Sequence, residues 1–385
     1  MKGSYLIIIG ILLLSILWIG YSQFGLRPSV SEENLSYIQL PSGCKIEVFA
    51  DGLGDSLLSY PGPAPGPRMM LIKNGTLMVS IPNKGLVAVL PDKDGDHKAD
   101  SVSVFIDGLN QPHGLDYYSG WFYIAEENRL IRVKDTNNDF VAEKETIEVL
   151  MDNIPTGGHS TRTVKVHNGS LYMSMGSSCN VCYEKDARRA AITRCDLDGT
   201  NFTVFASGMR NAVGMAFHPL TGQLYATENG RDWLGDDLPP DEINLVEEGE
   251  DYGWPICYGK NIHDTDFDNN TYIRDPCEDC IPSLVDLQAH SAPLGLNFYY
   301  DNSFPEEYQG NLFVCFHGSW NRREPTGYKV VRVNMTDLTI NDFATGWLQN
   351  NSILGRPVDV VVSDDGSLFV SDDNQGRIYR IYYGD

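Results

Sequence analysis

The amino-acid sequence predicts an all-β protein, a six-bladed β-propeller behind an N-terminal transmembrane anchor or signal segment. A turn glycine followed by an apolar, β-prone run recurs six times, further β-prone segments flank these copies, and no long stretch shows a helical period. The six copies are GTLMVS (75–80), GWFYIA (120–125), GSLYMS (169–174), GQLYAT (222–227), GNLFVC (310–315) and GSLFVS (366–371). Four short antiparallel strands per unit and six units are typical of a six-bladed propeller. The wide gap before the fifth copy predicts an insertion within 230–290.

The N-terminus reads as a targeting segment. Residues 5–20 carry no charge, and Lys2 is the only charge before them. Such a run lies between the core of a signal peptide and a membrane span of about 20 residues. No small-x-small cleavage motif follows, which favours an uncleaved anchor (1–22) over a cleaved signal, with a stalk (23–42) and the propeller (43–385) behind it. Either alternative predicts an extracytoplasmic protein, since Lys2 stays inside.

Charge and glycosylation motifs agree with export. The chain holds 29 basic and 52 acidic residues and a net charge of −23, which argues against a nucleic-acid partner. Several N-x-S/T motifs predict a glycoprotein. These motifs begin at Asn34, Asn74, Asn168, Asn201, Asn269, Asn334 and Asn350.

The eight cysteines include two C-x-x-C pairs, Cys179/Cys182 and Cys277/Cys280. In an oxidising compartment such pairs predict disulfides. A zinc site built from the two pairs is the alternative. The nearest candidates for additional pairing are Cys195 and Cys257.

The residues just before each innermost strand should lie at the mouth of the propeller's central channel. In blade order they are Arg68; Gln111 and His113; His159 and Arg162; Arg210 and Asn211; His290 and Ser291; and Arg356. Arginine suits bidentate recognition of carboxylate or phosphate, so four arginines in an acidic chain predict a site for a small polyanion, with histidines available as bases. The alternative is that the arginines are structural and pair with acidic residues of neighbouring blades.

Four strings resemble the glucose/sorbosone dehydrogenase family, most closely its L-sorbosone dehydrogenase branch. They are GGHSTR (157–162), GMRNAVGMAFHPLTGQLYATENG (208–230), DEINLVEEGEDYGWP (241–255) and HGSWNRREPTGYKVVRV (317–333), and the resemblance covers roughly residues 40–383. It implies a six-bladed propeller that binds pyrroloquinoline quinone and calcium. The implied activity is oxidation of an aldose or a sorbosone-like sugar aldehyde, with electrons passing to an external quinone or cytochrome.

The resemblance also implies roles for individual residues. His159 matches the base that takes the substrate's hydroxyl proton, and Arg210 and Asn211 match the pair beside the quinone oxygens. Gln111 resembles the cofactor contact of blade two. Arg356 matches the first arginine of a Gly-Arg-x-Arg-Asp-Val pattern, whose second arginine is Val358 here.

Other matches leave alternatives open. The family's lysine of blade five has three neighbouring counterparts, Arg322, Arg323 and Lys329, of which Arg322 and Lys329 are taken as candidate cofactor contacts. Glu242 and Tyr252 match the family's calcium-binding segment, and hard oxygen ligands suit that ion. Two acidic segments, 92–100 and 135–143, resemble calcium loops or Asp/Asn-rich turns equally well. Three tryptophans could stack on a cofactor or sugar ring or be structural: Trp233, Trp254 and Trp320.

Two other functions compete with the enzyme. A non-catalytic propeller that binds a partner or glycan is favoured by Val358 and by the uncertain lysine. A calcium-dependent lactonase needs carboxylates converging on an ion at the channel centre, whereas the predicted mouth is cationic. Fold alone does not decide among the three.

Overall fold

The computed structural model describes residues 35–54 and 66–384. The predicted anchor and the first part of the predicted stalk lie outside these residues. Within them, no helix combines the length and the apolar character needed to cross a membrane.

The described residues form six four-stranded antiparallel sheets, which confirms the predicted propeller. Blade one contains β2 (Met70–Lys73), β3 (Thr76–Ile81), β4 (Leu86–Leu90) and β5 (Ser103–Asp107). Blade two contains β6 (Gly114–Tyr118), β7 (Trp121–Ala125), β8 (Leu130–Val133) and β9 (Glu148–Met151). Blade three contains β10 (Arg162–His167), β11 (Ser170–Met175), β12 (Ala191–Asp196) and β13 (Thr203–Ser207).

Blades four to six repeat this order with two additions. Blade four contains β14 (Met215–Phe217), β15 (Leu224–Glu228), β16 (Asp241–Val246) and β19 (Val285–Leu287). The hairpin of β17 (Cys257–Tyr258) and β18 (Ile262–His263) is inserted before β19, which confirms the predicted insertion. Blade five contains β20 (Pro293–Phe298), β21 (Leu312–Phe316), β22 (Lys329–Val333) and β23 (Ile340–Ala344), and a hairpin of β24 (Leu348–Gln349) and β25 (Ser352–Ile353) follows it.

Blade six joins the two ends of the propeller. It contains β26 (Pro357–Val362), β27 (Leu368–Asp372), β28 (Arg377–Tyr383) and, from the other end of the chain, β1 (Cys44–Ala50). The pairing of β1 with β28 runs antiparallel from Cys44 opposite Tyr383, and it closes the ring of blades without a covalent link.

The first strand of each blade is the innermost, and these six strands contact one another around the channel. The recurring apolar phrase is the second strand, which is covered on both faces by neighbouring blades; β21, for example, is buried throughout. This explains why the phrase is a continuous apolar run rather than an alternating one. Because the first two strands are antiparallel, inner strands begin at the end of the channel where second strands finish, as in Arg162 opposite Met175.

The cysteines pair differently from the prediction at one of the two motifs. The Cys179–Cys182 disulfide is confirmed. Cys277 instead pairs with Cys257, because the β17–β18 hairpin brings their Cα atoms to 5.9 Å, a usual disulfide separation. Cys280 is left free, and so is Cys195, which is buried in β12. Of the two candidates for additional pairing, Cys257 is therefore confirmed and Cys195 is not, and Cys277 is bridged to Cys257 instead of to its C-x-x-C neighbour Cys280.

Candidate active site

A cavity of about 400 Å³ opens at the channel mouth, where all six blades contribute side chains. Its size is within the usual range for small-molecule sites. It contains eight of the ten predicted mouth residues: Arg68, Gln111, His113, His159, Arg210, Asn211, His290 and Arg356. The prediction of a cationic mouth is therefore confirmed for three of its four arginines.

Arg162 is the fourth arginine, and its side chain does not line the cavity. It is fully buried and donates to the backbone carbonyls of Pro155, His159 and Thr161 at 2.7 Å. Burial, together with the charge of Arg189, lowers the pKa of Arg162 to about 10. Arg162 is thus structural, although it bonds carbonyls of its own loop and not an acidic residue of a neighbouring blade; Arg68, which pairs with Asp373 of blade six, is the arginine that fits the structural alternative as stated. Ser291 is likewise fully buried beneath the mouth and does not line it.

His159 presents one ring nitrogen to the cavity. Its Nδ1 lies 3.1 Å from the Ser177 carbonyl oxygen and 2.9 Å from Ser177 Oγ. A carbonyl oxygen only accepts, and Ser177 Oγ donates its own proton to the Cys179 carbonyl at 2.6 Å, so Nδ1 carries the proton. The lone pair is thus on Nε2, which has no hydrogen-bond partner in the described residues.

The surroundings keep this imidazole neutral. Burial and, after it, the charge of Arg210 lower the pKa of His159 to about 3. At neutral pH, His159 therefore has a free lone pair that can accept a proton. His113 has a similar arrangement, with Nδ1 3.2 Å from Thr163 Oγ1, but its unpartnered Nε2 is completely buried.

Arg210 lines the cavity, but its donors are directed into the protein. Its Nε and Nη2 bond the backbone and side-chain oxygens of Asn180 at 2.8 and 2.9 Å, and Nη1 bonds the carbonyls of Asn229 and Gly230. Nη2 also lies 3.2 Å from Asp232 Oδ2. Arg210 therefore contributes positive charge to the cavity with its geometry fixed by the protein. Its neighbour Asn211 has a buried Oδ1 without a partner in the described part of the chain.

A chain of charged contacts forms the side of the cavity built by blades five, six and one. Arg68 Nη1 lies 2.6 Å from Asp373 Oδ2, and Asp373 Oδ1 lies 2.9 Å from His317 Nε2. His317 Nδ1 accepts from Arg356 Nη1 at 3.2 Å. His317 and Arg68 hold the pKa of the buried Asp373 at about 2 against the effect of desolvation. Arg68 and Arg356 are thus linked through one carboxylate and one imidazole.

Gln111 lines the cavity from blade two. Its Nε2 donates to Glu127 Oε2 at 3.1 Å, and its backbone adopts a left-handed φ of 48° that turns the chain into β6. Glu127 also accepts from the Gly157 amide, two residues before His159, so blades two and three are tied together at this point.

Arg322 and Lys329 are not at the cavity, which corrects two predicted cofactor contacts. Arg322 donates to the Asp236 carbonyl and pairs with Asp237 at 2.9 Å. Lys329 begins β22, one strand further from the channel than β21, and pairs with Asp342 at 2.5 Å. Proximity in sequence to the HGSW segment suggested both residues, but the strand order takes Lys329 away from the axis.

Two tryptophans stand at the rim. Trp320 lines the cavity with 54% of its surface exposed, and Trp233 is 67% exposed. Their rings are 5.3 Å apart and perpendicular, at 89°. Their loops are joined by Asn321 donating to Asp232 and by the Arg322–Asp237 pair. The two rings make an apolar corner rather than a buried structural contact.

A second, smaller cavity of about 20 Å³ lies beneath Arg210, large enough for one ion or water. Glu242 and Tyr252, the predicted calcium residues, line it together with Glu228. Burial and the charge of Glu242 raise the pKa of Glu228 well above its ordinary value, and Glu228 Oε2 has no hydrogen-bond partner in the described residues. Two buried carboxylates facing one small space fit a hard cation such as calcium. The Tyr252 hydroxyl donates to the Leu245 carbonyl, so only its backbone oxygen is available.

The two acidic segments form turns at the blade edges. Asp92 accepts from the backbone amides of Gly95 and His97, and Asp135 accepts from those of Asp139 and Phe140. These bonds close a turn in each segment, and the side-chain oxygens of Asp92, Asp94 and Asp100 also lie within 4.8 Å of one another, so the turn and calcium-loop alternatives both stay open for 92–100.

Comparison with known proteins places this geometry in a family. A family model described as TrAA12-like matches residues 64–384. The chain belongs to the TrAA12-like family. It is 32% identical over 372 residues to an uncharacterized protein of Borreliella burgdorferi, covering 92% of this chain and 93% of that protein.

Other relatives of this TrAA12-like chain carry descriptions of activity. It is 26% identical to a pyrroloquinoline quinone-dependent pyranose dehydrogenase of Coprinopsis cinerea, over 80% of this chain and 51% of that protein, so it spans about half of that relative. It is 21% identical to a pyrroloquinoline quinone-dependent sugar dehydrogenase of Hypocrea jecorina, over 70% and 73%. These likenesses support a relationship to pyrroloquinoline quinone-dependent sugar dehydrogenases, and the L-sorbosone branch stays a prediction.

Solved structures agree on the fold. A calcium structure of the Trichoderma reesei family AA12 enzyme superposes with a TM-score of 0.75 at 21% identity, covering 93% of this chain and 98% of that one. The holo form of the pyranose dehydrogenase domain from Coprinopsis cinerea gives 0.74 at 20% identity, covering 94% and 99%.

Sequence reasoning missed one class of residue in this TrAA12-like site. The predictions used the residues before each inner strand, whereas the residues after each second strand reach the same mouth. Asp373, Asn229, Gly230 and Gly318 belong to that class. The recurring phrase marks where each second strand ends, so the signal was present: FVCFHG and FVSDDN place His317 and Asp373 directly after it.

Proposed function

We propose that this protein is a quinoprotein dehydrogenase that oxidises a sugar, an aldose or a sorbosone-like aldehyde, with pyrroloquinoline quinone as acceptor. The observation that carries the proposal is the convergence of a neutral histidine with an unprotonated nitrogen, His159, and three arginines on one cavity. The described sugar dehydrogenases among the relatives support the same conclusion.

The residues of the cavity fit the cofactor. Pyrroloquinoline quinone is a planar tricarboxylate, and the guanidinium groups of Arg68, Arg210 and Arg356 line the cavity, the first two of them paired with Asp373 and Asp232. Asn211 and His113 also line the cavity, and each has one buried side-chain atom, Oδ1 and Nε2, without a partner in the described residues. Gln111 and Asn211 would orient the ring system, whose quinone accepts a hydride from the substrate when bound.

His159 then acts on the substrate hydroxyl. Its Nε2 accepts the proton, and the resulting imidazolium keeps its Nδ1–H bonds to Ser177. Burial disfavours the charged ring, so the proton is passed on readily once the substrate has reacted. The Trp233–Trp320 corner provides an apolar wall for the C–H face of a sugar ring at the entrance.

Calcium belongs to the proposal as a structural ion beneath Arg210. Glu242, Glu228 and the backbone oxygen of Tyr252 would hold it. The positive charge of the calcium ion would compensate the two buried carboxylates. Both would then stay ionised next to Arg210.

The remaining parts of the proposal concern the cellular setting. An external quinone or cytochrome would reoxidise the cofactor. The protein would act outside the cytoplasm, held at the membrane by residues 1–22. The sequons would carry glycans if the producing cell attaches them.

The decisive test is titration of the full chain, in detergent, with pyrroloquinoline quinone in the presence of calcium. We expect saturable binding by calorimetry and by the cofactor's absorbance, and dye-linked oxidation of a panel of aldoses. Arg356→Ala should weaken binding about tenfold, whereas Lys329→Ala, a matched cation away from the cavity, should not. A folded, calcium-loaded protein without binding would overturn the proposal in favour of a non-catalytic propeller.

A further inference from the structure

The short loop closed by the Cys179–Cys182 disulfide contacts both principal residues of the cavity. It connects β11 of blade three to the segment before β12, and its cysteines are half-exposed. None of its residues is among the predicted cofactor contacts, and the proposed chemistry assigns no role to them. The backbone oxygen and both side-chain polar atoms of Asn180, the first residue inside the loop, nevertheless bond residues of the site.

Asn180 makes four hydrogen bonds to two cavity residues. Its backbone oxygen accepts from Arg210 Nε at 2.8 Å, and its Oδ1 accepts from Arg210 Nη2 at 2.9 Å. The same Oδ1 accepts from the Asp232 amide at 2.7 Å, and its Nδ2 donates to the Asp232 carbonyl at 3.1 Å. One asparagine thus fixes the plane of the guanidinium and the start of the 231–240 loop.

The same loop also reaches His159. The Cys179 carbonyl accepts from Ser177 Oγ at 2.6 Å, which turns the Ser177 hydroxyl so that it accepts from His159 Nδ1. The proton is therefore held on Nδ1, and the lone pair on Nε2 faces the cavity. Ser178 donates to Glu184 through both its amide and its hydroxyl, which fixes the other side of the loop.

We infer that Asn180, held in place by the Cys179–Cys182 disulfide, is a positioning residue that sets the Arg210 guanidinium against the cofactor, and that the Cys179 carbonyl of the same loop orients the Ser177 hydroxyl beside His159. The inference rests on the proposed function for its cofactor readout. The disulfide restricts a segment that has only two residues between its cysteines. Reducing it frees the Asn180 carbonyl and the Cys179 carbonyl together, so Arg210 and His159 each lose one of the contacts that orient them, while Arg210 keeps its bonds to the Asn229 and Gly230 carbonyls and His159 keeps the Ser177 carbonyl.

Three variants separate these contributions. Asn180→Ala removes the side-chain bonds to Arg210 and Asp232 but keeps the disulfide and the backbone bond. Asn180→Asp keeps Oδ1 as acceptor and is the conservative rescue for Arg210. The Cys179→Ser/Cys182→Ser pair releases the whole loop. Asn270→Ala is the matched control, because the Asn270 amide donates to Asp268, outside the cavity.

The first readout is the dissociation constant for pyrroloquinoline quinone, measured by calorimetry on the full chain with calcium present. We expect it to rise about tenfold in Asn180→Ala, since a hydrogen bond to a charged group is lost, and at least as much in the cysteine pair. Asn180→Asp should recover most of the loss, and Asn270→Ala should match wild type. Wild type that has been reduced and alkylated, with the reductant removed before the titration, should reproduce the cysteine-pair value, and the same treatment should leave that variant unchanged.

The second readout needs no cofactor. Hydrogen exchange of the Arg210 Nε–H, followed by ¹⁵N NMR, reports directly on the bond to the Asn180 carbonyl. Exchange should be slow in wild type and in Asn180→Ala, and at least tenfold faster in the cysteine pair or after reduction. A thermal unfolding transition at the same temperature as that of wild type shows that each variant is folded.

The outcomes distinguish this inference from the proposed function. If wild type binds the cofactor and neither Asn180→Ala nor the cysteine pair changes its affinity, the inference is overturned while the function stands. If wild type does not bind, the function is overturned, and the exchange rate alone decides the inference. Unchanged exchange after reduction would overturn it, and faster exchange would support it.

Discussion

Two of the four histidines that line the cavity, His159 of blade three and His317 of blade five, both have a lowered pKa, yet they have different chemistry. His159 bonds the protein through Nδ1 only, to Ser177, and leaves Nε2 to the cavity. His317 is bonded at both nitrogens, to Asp373 and to Arg356. Burial lowers the pKa of each ring. A depressed pKa therefore does not identify a base; an available lone pair does.

The difference extends to the neighbours of each ring. On the blade-three side, Ser177 is a neutral acceptor, so a proton gained by His159 stays uncompensated and leaves easily. On the other side, Asp373 is an ion held between Arg68 and His317. That second arrangement fixes charges instead of moving a proton.

The largest expected effect comes from exchanging the two histidines for glutamine, one at a time. His159→Gln should lower kcat about 10³-fold, because general-base catalysis is lost, with little change in cofactor affinity. His317→Gln should keep kcat within a few-fold and weaken cofactor binding about tenfold, because Arg356 loses a partner. Steady-state kinetics and calorimetry separate the two. A loss of kcat in His317→Gln equal to that in His159→Gln would contradict the distinction.

The fold and part of the site follow from sequence for clear physical reasons. The recurring apolar phrase reflects second strands buried on both faces, which is a local signal, and the residues preceding inner strands follow from the propeller's geometry. The positions of Arg162 and Lys329 could not be predicted this way. Both depend on side-chain direction and strand depth: Arg162 bonds three carbonyls within its own loop, and Lys329 lies in a third strand.

Partners distant in sequence account for the rest. The contact of Arg68 with Asp373 spans 305 positions, and it exists because blade six neighbours blade one. Cys257 reaches Cys277 only through the inserted hairpin. Neither contact leaves a periodic pattern in the sequence. Predicting them requires the closure of the ring for the first and the inserted hairpin for the second.

The next prediction concerns the dependence of stability on pH. The pH range over which stability changes differs between His159 and Asp373. His159 has a pKa of about 3 when folded against an ordinary 6.5, so between these values the unfolded chain binds the extra proton and stability falls as pH falls. Asp373 has a pKa of about 2 against 3.8, so its stabilisation is present above 3.8 and is lost only below that value.

Urea unfolding across this range tests both windows. His159→Gln should remove a slope of about 1.4 kcal/mol per pH unit between roughly pH 6 and 4, measured as the difference from wild type. Asp373→Asn should destabilise the protein at pH 7, and its difference from wild type should shrink only below about pH 4. Parallel curves for His159→Gln and wild type would mean that the folded His159 is not held neutral.

The smallest expected effect is on the KM for the sugar, and it comes from the two tryptophans at the rim of the cavity. Trp320 lines the cavity and Trp233 is its perpendicular neighbour, contributed by the loop that Asn180 and Asn321 hold. Trp320→Ala should raise the KM for the sugar several-fold with kcat nearly unchanged, because stacking acts equally on bound substrate and transition state. Trp233→Ala should raise the KM by a smaller factor, since its ring is perpendicular to that of Trp320 and does not line the cavity.

The control is Leu220→Ala, which removes an exposed apolar side chain outside the cavity. Equal KM values in all three variants would show that the sugar is recognised inside the cavity alone, by the residues around His159.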